Sequence, residues 1–229
     1  MGAAAHRKAG RARMCGEMSA GSDHVGLRLN CLLAEAGLKP LDPALASRFE
    51  EQLSLILRWN ARINLTAIRD EKGILARHFV ESIACARALP AEIATLLDVG
   101  SGAGFPGIPI ALCRPEIAVT LAESQGKKAA FLSEAVRVLG VAAEVYYGRA
   151  ESLTAHFDCV TLRAVDRMER AVQAAAQLVR PGGWIALMTT GEKLDALKAA
   201  AGVEFSWAEP LRLPGGEDRL LALGAREIS

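Results

Sequence analysis

Leu96-Leu97-Asp98-Val99-Gly100-Ser101-Gly102-Ala103-Gly104-Phe105-Pro106-Gly107 is the stretch on which the reading of this chain turns. A short apolar run enters a loop with glycine at 100, 102, 104 and 107, and a helical pattern over 107–113 leaves it. Glycine serves where the backbone needs positive φ or where a ligand must touch main chain. A plain turn needs one or two. Four, between a strand and a helix, mark the first strand–helix turn of a doubly wound sheet, where nucleotides bind at the carboxyl ends of the strands.

The surrounding sequence agrees. Apolar runs recur at 96–99, 118–122, 143–146, 157–162, 184–188, 203–207 and 220–223. Helical patterns at 107–113, 127–139, a short piece near Glu151 and 168–179 separate the first five, and another helix covers 192–201. Strands alternating with helices of this length form βαβ units and a parallel sheet. The last two strands are joined by a loop with Pro210, Pro214, Gly215 and Gly216 and no helix, so they should pair antiparallel.

Gly102-x-Gly104-x-x-Gly107 satisfies the dinucleotide fingerprint, but two features point to S-adenosylmethionine instead. Asp98 lies two residues before the first glycine, where its carboxylate acts through the loop on a cationic ligand and would repel a pyrophosphate. Pro106 removes an N–H that a pyrophosphate would need at the helix N-terminus. Glu123 ends the second strand and can accept both ribose hydroxyls of either cofactor. Arg180-Pro181-Gly182-Gly183, entering the fifth strand, is a turn common in S-adenosylmethionine methyltransferases. The expected fold class is α/β: a Rossmann-like class I S-adenosylmethionine-dependent methyltransferase fold of seven strands, the last antiparallel, with an N-terminal helical extension.

That extension is read over 25–90. Leu29, Leu32, Leu33 and Ala36 form one helical stripe; Asp42 is an N-cap with Pro43 behind it; a third helix runs from about Asp70 to Leu89 and stops at Pro90. Residues 91–229 then form the cofactor-binding core. Residues 1–24, with Arg7, Lys8, Arg11 and Arg13 among Ala and Gly, read as a disordered basic tail without the apolar segment of a signal peptide.

Composition bounds the function. The 229 residues are 51% hydrophobic and 23% charged, with net charge +1, which excludes a disordered chain and a broad basic coat for nucleic acid. RNA contact must come from a local patch. No run approaches the ~18 apolar residues of a membrane span. Cys15, Cys31, Cys85, Cys113 and Cys159 are scattered, so no metal site or disulfide framework is expected, and a cytoplasmic protein is.

With these pieces placed, the chain resembles the ribosomal RNA small-subunit methyltransferase G family, also called glucose-inhibited division protein B, over roughly 45–223. The motifs are Trp59-Asn60, Asn64-Leu65-Thr66-Ala67-Ile68-Arg69, Arg77-His78-Phe79-Val80-Glu81-Ser82, the Asp98–Pro109 loop, Ser124 with Lys127-Lys128, Gly148-Arg149-Ala150-Glu151 and Arg163-Ala164. The resemblance implies methyl transfer from S-adenosylmethionine, leaving S-adenosylhomocysteine, to N7 of a guanine in a loop of 16S rRNA in the small ribosomal subunit. It implies a cofactor site of Asp98, Gly100, Ser101, Gly102, Gly104, Phe105, Pro106, Glu123, Ser124, Ala150, Glu151 and Arg163. Arg163 and Arg149 match arginines that family members keep near the active site. Two positions depart from the pattern: Glu81 stands where Asp is usual, and Thr189-Thr190-Gly191 lacks the usual Lys before Gly, for which Lys193 is the replacement.

N7 of guanine carries a lone pair and no proton, so no general base is needed and alignment dominates. Arg163, which would not favour a cationic ring, is expected to position O6 or a nearby phosphate. N7 is out of reach in A-form RNA, so the target should be looped or flipped out. Lys128, Arg149, Arg167 and Arg69 are the expected RNA contacts, with Lys127 and Arg170 as solvated neighbours. His78 is expected to pack between lead and sheet, and Asn64 and Thr66 to brace that junction. Rival readings are a small-molecule methyltransferase, an NAD-dependent oxidoreductase and a non-catalytic rRNA-binding assembly factor. A monomer is expected, with no DNA and no membrane partner.

Overall fold

The computed structural model describes residues 25–214, 216 and 218–228; the tail read at 1–24 lies outside them. Helix α1 (Val25–Glu35) buries Leu29 and Leu33. Helix α2 (Pro43–Asn60) starts as its sequence requires: the Asp42 carboxylate accepts from the Leu45 N–H at 2.9 Å, and Pro43 occupies the first turn. Phe49, Leu53 and Ile56, at i, i+4 and i+7, make its buried stripe. Helix α3 is the one irregular member of the lead. A turn of α-helix (Glu71–Gly73) passes into a π-helical stretch (Ile74–Phe79) and returns to α-helix (Val80–Ala88). The regular helix expected here would turn Ile74 and Phe79, five apart, to different sides. The wider π turn keeps both in the core, where each is fully buried.

The remaining chain alternates β1 (Thr95–Val99), α4 (Gly107–Cys113), β2 (Ala118–Glu123), α5 (Gly126–Leu139), β3 (Ala143–Tyr147), a 3₁₀ turn (Ala150–Ser152), β4 (Phe157–Arg163), α6 (Met168–Ala176), β5 (Val179–Thr190) and α7 (Gly191–Ala201). It closes with β6 (Phe205–Trp207), β7 (Leu211–Arg212) and β8 (Arg219–Arg226). The strand order is β3-β2-β1-β4-β5-β8-β6, with β7 added against β8. The first five strands run parallel, and β8 lies antiparallel between β5 and β6. The order reverses at β1, beside the glycine loop, which opens the crevice above the strand ends. Two expectations need correction. Among the described residues the loop before β8 holds a two-residue strand, so the sheet has eight strands where seven were expected. Arg180-Pro181-Gly182-Gly183 lies within β5 rather than ahead of it, as a bulge between Val179, which pairs with Phe157, and Trp184, which pairs with Cys159; the predicted helix over 168–179 ends at Ala176.

Alternation along each strand sorts the side chains onto two faces. Leu96, Leu121, Cys159 and Met188 share a core with α1–α3, whereas Leu97, Val99, Val160 and Leu162 pack with α6 and α7. By the same parity Asp98, Glu123, Thr161 and Arg163 face the helical lead. Among the contacts that fasten that lead to α5, Trp59 Nε1 donates to Glu134 Oε2 at 2.8 Å, Arg58 pairs with the same carboxylate, and Arg48 donates to the Leu139 carbonyl.

Candidate active site

Strand register brings the carboxyl ends level. Glu123 pairs with Tyr147, Arg163 pairs with Met188, and Gly100 follows the Val99 row that aligns with Ala122 and Leu162. The loop after Val99 then takes left-handed φ at Gly100 (67°), Gly102 (56°) and Gly104 (83°). A side chain is disfavoured there on backbone grounds alone. A Cβ built on Gly102 would meet only the Gly100 carbonyl oxygen, at 3.7 Å; that position faces open space, as a ligand cradle requires. Gly107 is glycine for another reason. Its Cβ would fall 2.3 Å from Leu121 Cδ2 and 2.7 Å from Asp98 Oδ2, so it permits the close packing of α4 on β1 and β2.

Two carboxylates hold this loop. Asp98 is buried beneath it, accepting from the Gly107 N–H at 3.1 Å and the Thr161 hydroxyl at 2.9 Å. Burial pushes its carboxyl up to about 6, against the hydrogen bonds that favour the ionised form. Glu123 grips the other side, accepting from the Gly102 N–H at 3.0 Å and the Gln125 N–H at 2.8 Å. A carboxylate has about four lone-pair sites, so two remain for ribose hydroxyls. Ser101, expected to serve a ligand, instead donates its hydroxyl to the Asp98 carbonyl at 2.9 Å and is buried.

Phe105 and Arg163 also engage the lead. The Phe105 ring stacks on His78, with centroids 4.8 Å apart, and tilts against Phe79 at 5.4 Å. It therefore seals the loop to the lead rather than lining the crevice. The Arg163 side chain is 6% exposed, and its Nη2 donates to the Arg77 carbonyl (2.9 Å), His78 Nδ1 (2.9 Å) and Glu81 Oε2 (3.0 Å). Its other terminal nitrogen, Nη1, is buried without an acceptor. Because a guanidinium only donates, His78 Nδ1 must accept; the ring proton sits on Nε2 and goes to Thr66 Oγ1 at 2.7 Å. Burial, then the nearby Arg163, Arg77 and Arg219, hold the imidazole down at about 3. His78 and Thr66 thus brace the lead against the sheet, as the sequence suggested.

The centre of this junction is Glu81. It is fully buried, and its Oε2 accepts from both Arg163 (3.0 Å) and Arg219 (3.1 Å), while Arg77 stands 3.6 Å from Oε1. Neither Arg219 nor Thr161 is marked by sequence; only register and the antiparallel return of β8 bring them in. Glu81 carried a weak signal, four residues after Arg77 within a quoted motif.

A cavity of about 150 Å³ opens beside the loop, between the ends of β4, β5 and β8 and the start of α7. Val165, Met168, Met188, Thr189, Lys193 and Arg219 are among its walls, and Val165 also lies against Gly100. Lys193, expected as a substitute cation, is therefore at this site. The other expected contacts lie around the rim. Ala150 is buried in the 3₁₀ turn after β3, with exposed Arg149 and Glu151 on either side and exposed Ser124 at the end of β2. Arg167 is exposed with φ 49° ahead of α6, Lys128 is half-buried in the first turn of α5, and Arg69 is exposed and held by Asn64 Oδ1 at 2.8 Å.

The family model of rRNA small subunit methyltransferase G matches residues 46–219. The chain belongs to that family. The family's Stenotrophomonas maltophilia protein is 41% identical to it over 189 residues, covering 80% of this chain and 88% of the relative. The Roseiflexus relative of the same name is 37% identical over 199 residues, covering 81% and 85%. Among solved structures, a Pyrococcus furiosus methyltransferase aligns with TM-score 0.60 at 14% identity, over 80% of this chain and 98% of that one, a likeness of fold alone. Membership in rRNA small subunit methyltransferase G makes the chain a methyltransferase and gives the level strand ends an enzymatic reading.

Proposed function

We propose that this chain binds S-adenosylmethionine over the Gly100–Gly104 loop and methylates N7 of a guanine held in the adjoining cavity, the guanine lying in a loop of 16S rRNA of the small ribosomal subunit. One observation carries the reading: a glycine loop with open space above Gly102, gripped by Asp98 and Glu123, borders a cavity against Val165. The residues fit the donor. Glu123 keeps lone pairs for ribose hydroxyls, Ala150 and Ser124 flank the end of β2 where an adenine would lie, and Asp98 supplies negative potential beneath the loop. When bound, S-adenosylmethionine supplies an electrophilic methyl group on a sulfonium sulfur and departs as S-adenosylhomocysteine.

The chain's own groups suit a reaction that moves no proton. His78, stacked on Phe105 of the loop, has both ring nitrogens engaged and is held neutral, so it is no base. N7 needs none. Val165, Met168 and Met188 offer apolar faces for a ring that has left its stack. Arg163 keeps the lead docked through Nη2, and its unpaired Nη1 makes it a positioning residue for a ligand acceptor. Arg149, Arg167, Arg69 and Lys128 form the rim that meets RNA phosphates. In this reading residues 25–90 close the crevice from one face, residues 91–229 carry the transfer, and the enzyme acts as a cytoplasmic monomer.

The experiment supplies labelled S-adenosylmethionine with small subunits lacking the modification, bare rRNA and total metabolites, and digests the labelled product. Label in 7-methylguanosine of 16S rRNA is expected. Label in a metabolite, or none in any fraction, overturns the reading.

A further inference from the structure

The buried junction at Glu81 leaves positive charge unspent. Arg77, Arg163 and Arg219 share its single carboxylate, and Lys193 lines the same cavity as Arg219. Two other carboxylates are already engaged: Asp218 Oδ1 accepts from the Gly191 N–H at 3.0 Å, and Asp98 lies under the loop beside Arg163. Arg219 is the member that reaches the cavity. Its Nη2 is fixed on Glu81, and its Nε is buried with no acceptor. A guanidinium held this way is pre-aimed, and a charged donor left without a partner in a buried site is costly until an acceptor arrives.

We propose that Arg219 and Lys193 clamp a phosphodiester of the RNA substrate at the outer wall of the acceptor cavity. The inference rests on the RNA-methyltransferase reading above and names the group that seats the target nucleotide. A phosphate fits better than the guanine edge: the ring becomes cationic on N7 methylation, so cations against it would oppose the product, whereas a phosphodiester is an anion throughout. Arginine and phosphate also match as a bidentate, charge-assisted pair.

The test is equilibrium binding of full-length wild type, R219Q, R219K and K193Q to small subunits lacking the modification, over a series of KCl concentrations, with S-adenosylmethionine affinity measured alongside. R219Q should weaken subunit binding by ~10–100-fold and flatten the dependence of log affinity on log salt by about 1. R219K, which keeps the charge, should keep the slope while losing part of the affinity. Lys193 is exposed, so K193Q cannot act through folding, and it too should flatten the slope. S-adenosylmethionine affinity should stay within threefold in every variant. A wild-type slope in R219Q and K193Q overturns the clamp and leaves the enzyme reading intact. Failure of wild type to bind or methylate the subunits overturns both.

Discussion

Glu81 is wholly buried between two guanidinium groups, and the variant E81Q removes its charge while keeping its shape. Its Oε2 holds Arg163 at 3.0 Å and Arg219 at 3.1 Å, with Arg163 only 6% exposed, so solvent screens the pair little. Arg77, 44% exposed and 3.6 Å away, adds little by comparison. Removing one partner of a buried ion pair costs about 3–5 kcal/mol, because the other charge stays desolvated. For a chain of this size each kcal/mol moves the melting temperature by ~2–4 °C, so E81Q should melt about 6–20 °C below wild type. The second arm removes the stranded charge as well. In E81Q/R163M the loss should be smaller than the sum of the single losses, by at least about 1 kcal/mol of coupling. Thermal denaturation followed by circular dichroism, with denaturant titrations for the free energies, measures both. A drop below ~2 °C for E81Q, or strict additivity in the double variant, would refute the claim that this carboxylate pins the two buried guanidinium groups.

Three further outcomes follow from the same geometry. G107A places a methyl group against Leu121 Cδ2 and Asp98 Oδ2, an overpacking of about 1–3 kcal/mol, and should lower both the melting temperature and S-adenosylmethionine affinity; wild-type values for both would count against the packing account. E123Q presents an amide NH₂ to one of the two N–H groups that Glu123 now satisfies, so calorimetric affinity for S-adenosylmethionine should fall ~10–100-fold, and a change under threefold would remove Glu123 from the site. The pH dependence sets two buried groups against each other. His78 falls from 6.5 to about 3, so between those values the unfolded chain holds the extra proton and stability rises with pH. Asp98 climbs from 3.8 to about 6, so the folded chain holds the extra proton there, and that stability is lost as pH rises through about 6. Each slope is about 1.4 kcal/mol per pH unit, and they oppose over the shared window. H78Q should unmask the second, its stability falling relative to wild type as pH rises from about 4 to about 6; parallel wild-type and H78Q melting curves across that window would show that one of these groups is misjudged.

Local rules accounted for most of the elements. Period and punctuation alone made the Asp42–Pro43 helix start, the strand–loop–helix around Gly100 and the antiparallel return at the end legible, because each depends on residues a few positions apart. They did not mark the π stretch in α3, which exists because Ile74 and Phe79 must both reach a core built largely by other segments, nor the two-residue β7, which exists only because β8 is there to pair with it. The Arg180–Gly183 segment was misplaced for a similar reason: it is a bulge inside β5 rather than a turn ahead of it only because Val179, on its far side, pairs with Phe157 of β4.

The candidate site divides along the same line. By itself the sequence determined the glycine loop, the acidic residues at 98 and 123 and the family, since backbone freedom and charge at fixed spacing are properties of adjacent residues. What it left open was the direction of the side chains. The side chains of Ser101 and Phe105 hold the loop and its joint with the lead, and Arg163 docks the lead through Nη2 while its Nη1 is left without a partner. Those outcomes follow from strand parity and register, which put Asp98, Thr161 and Arg163 on the face covered by the lead, and from the antiparallel β8, which delivers Arg219 to Glu81 across 138 residues of chain. Only the tertiary structure could decide them, because a buried charge takes whichever partner folding brings within hydrogen-bond reach.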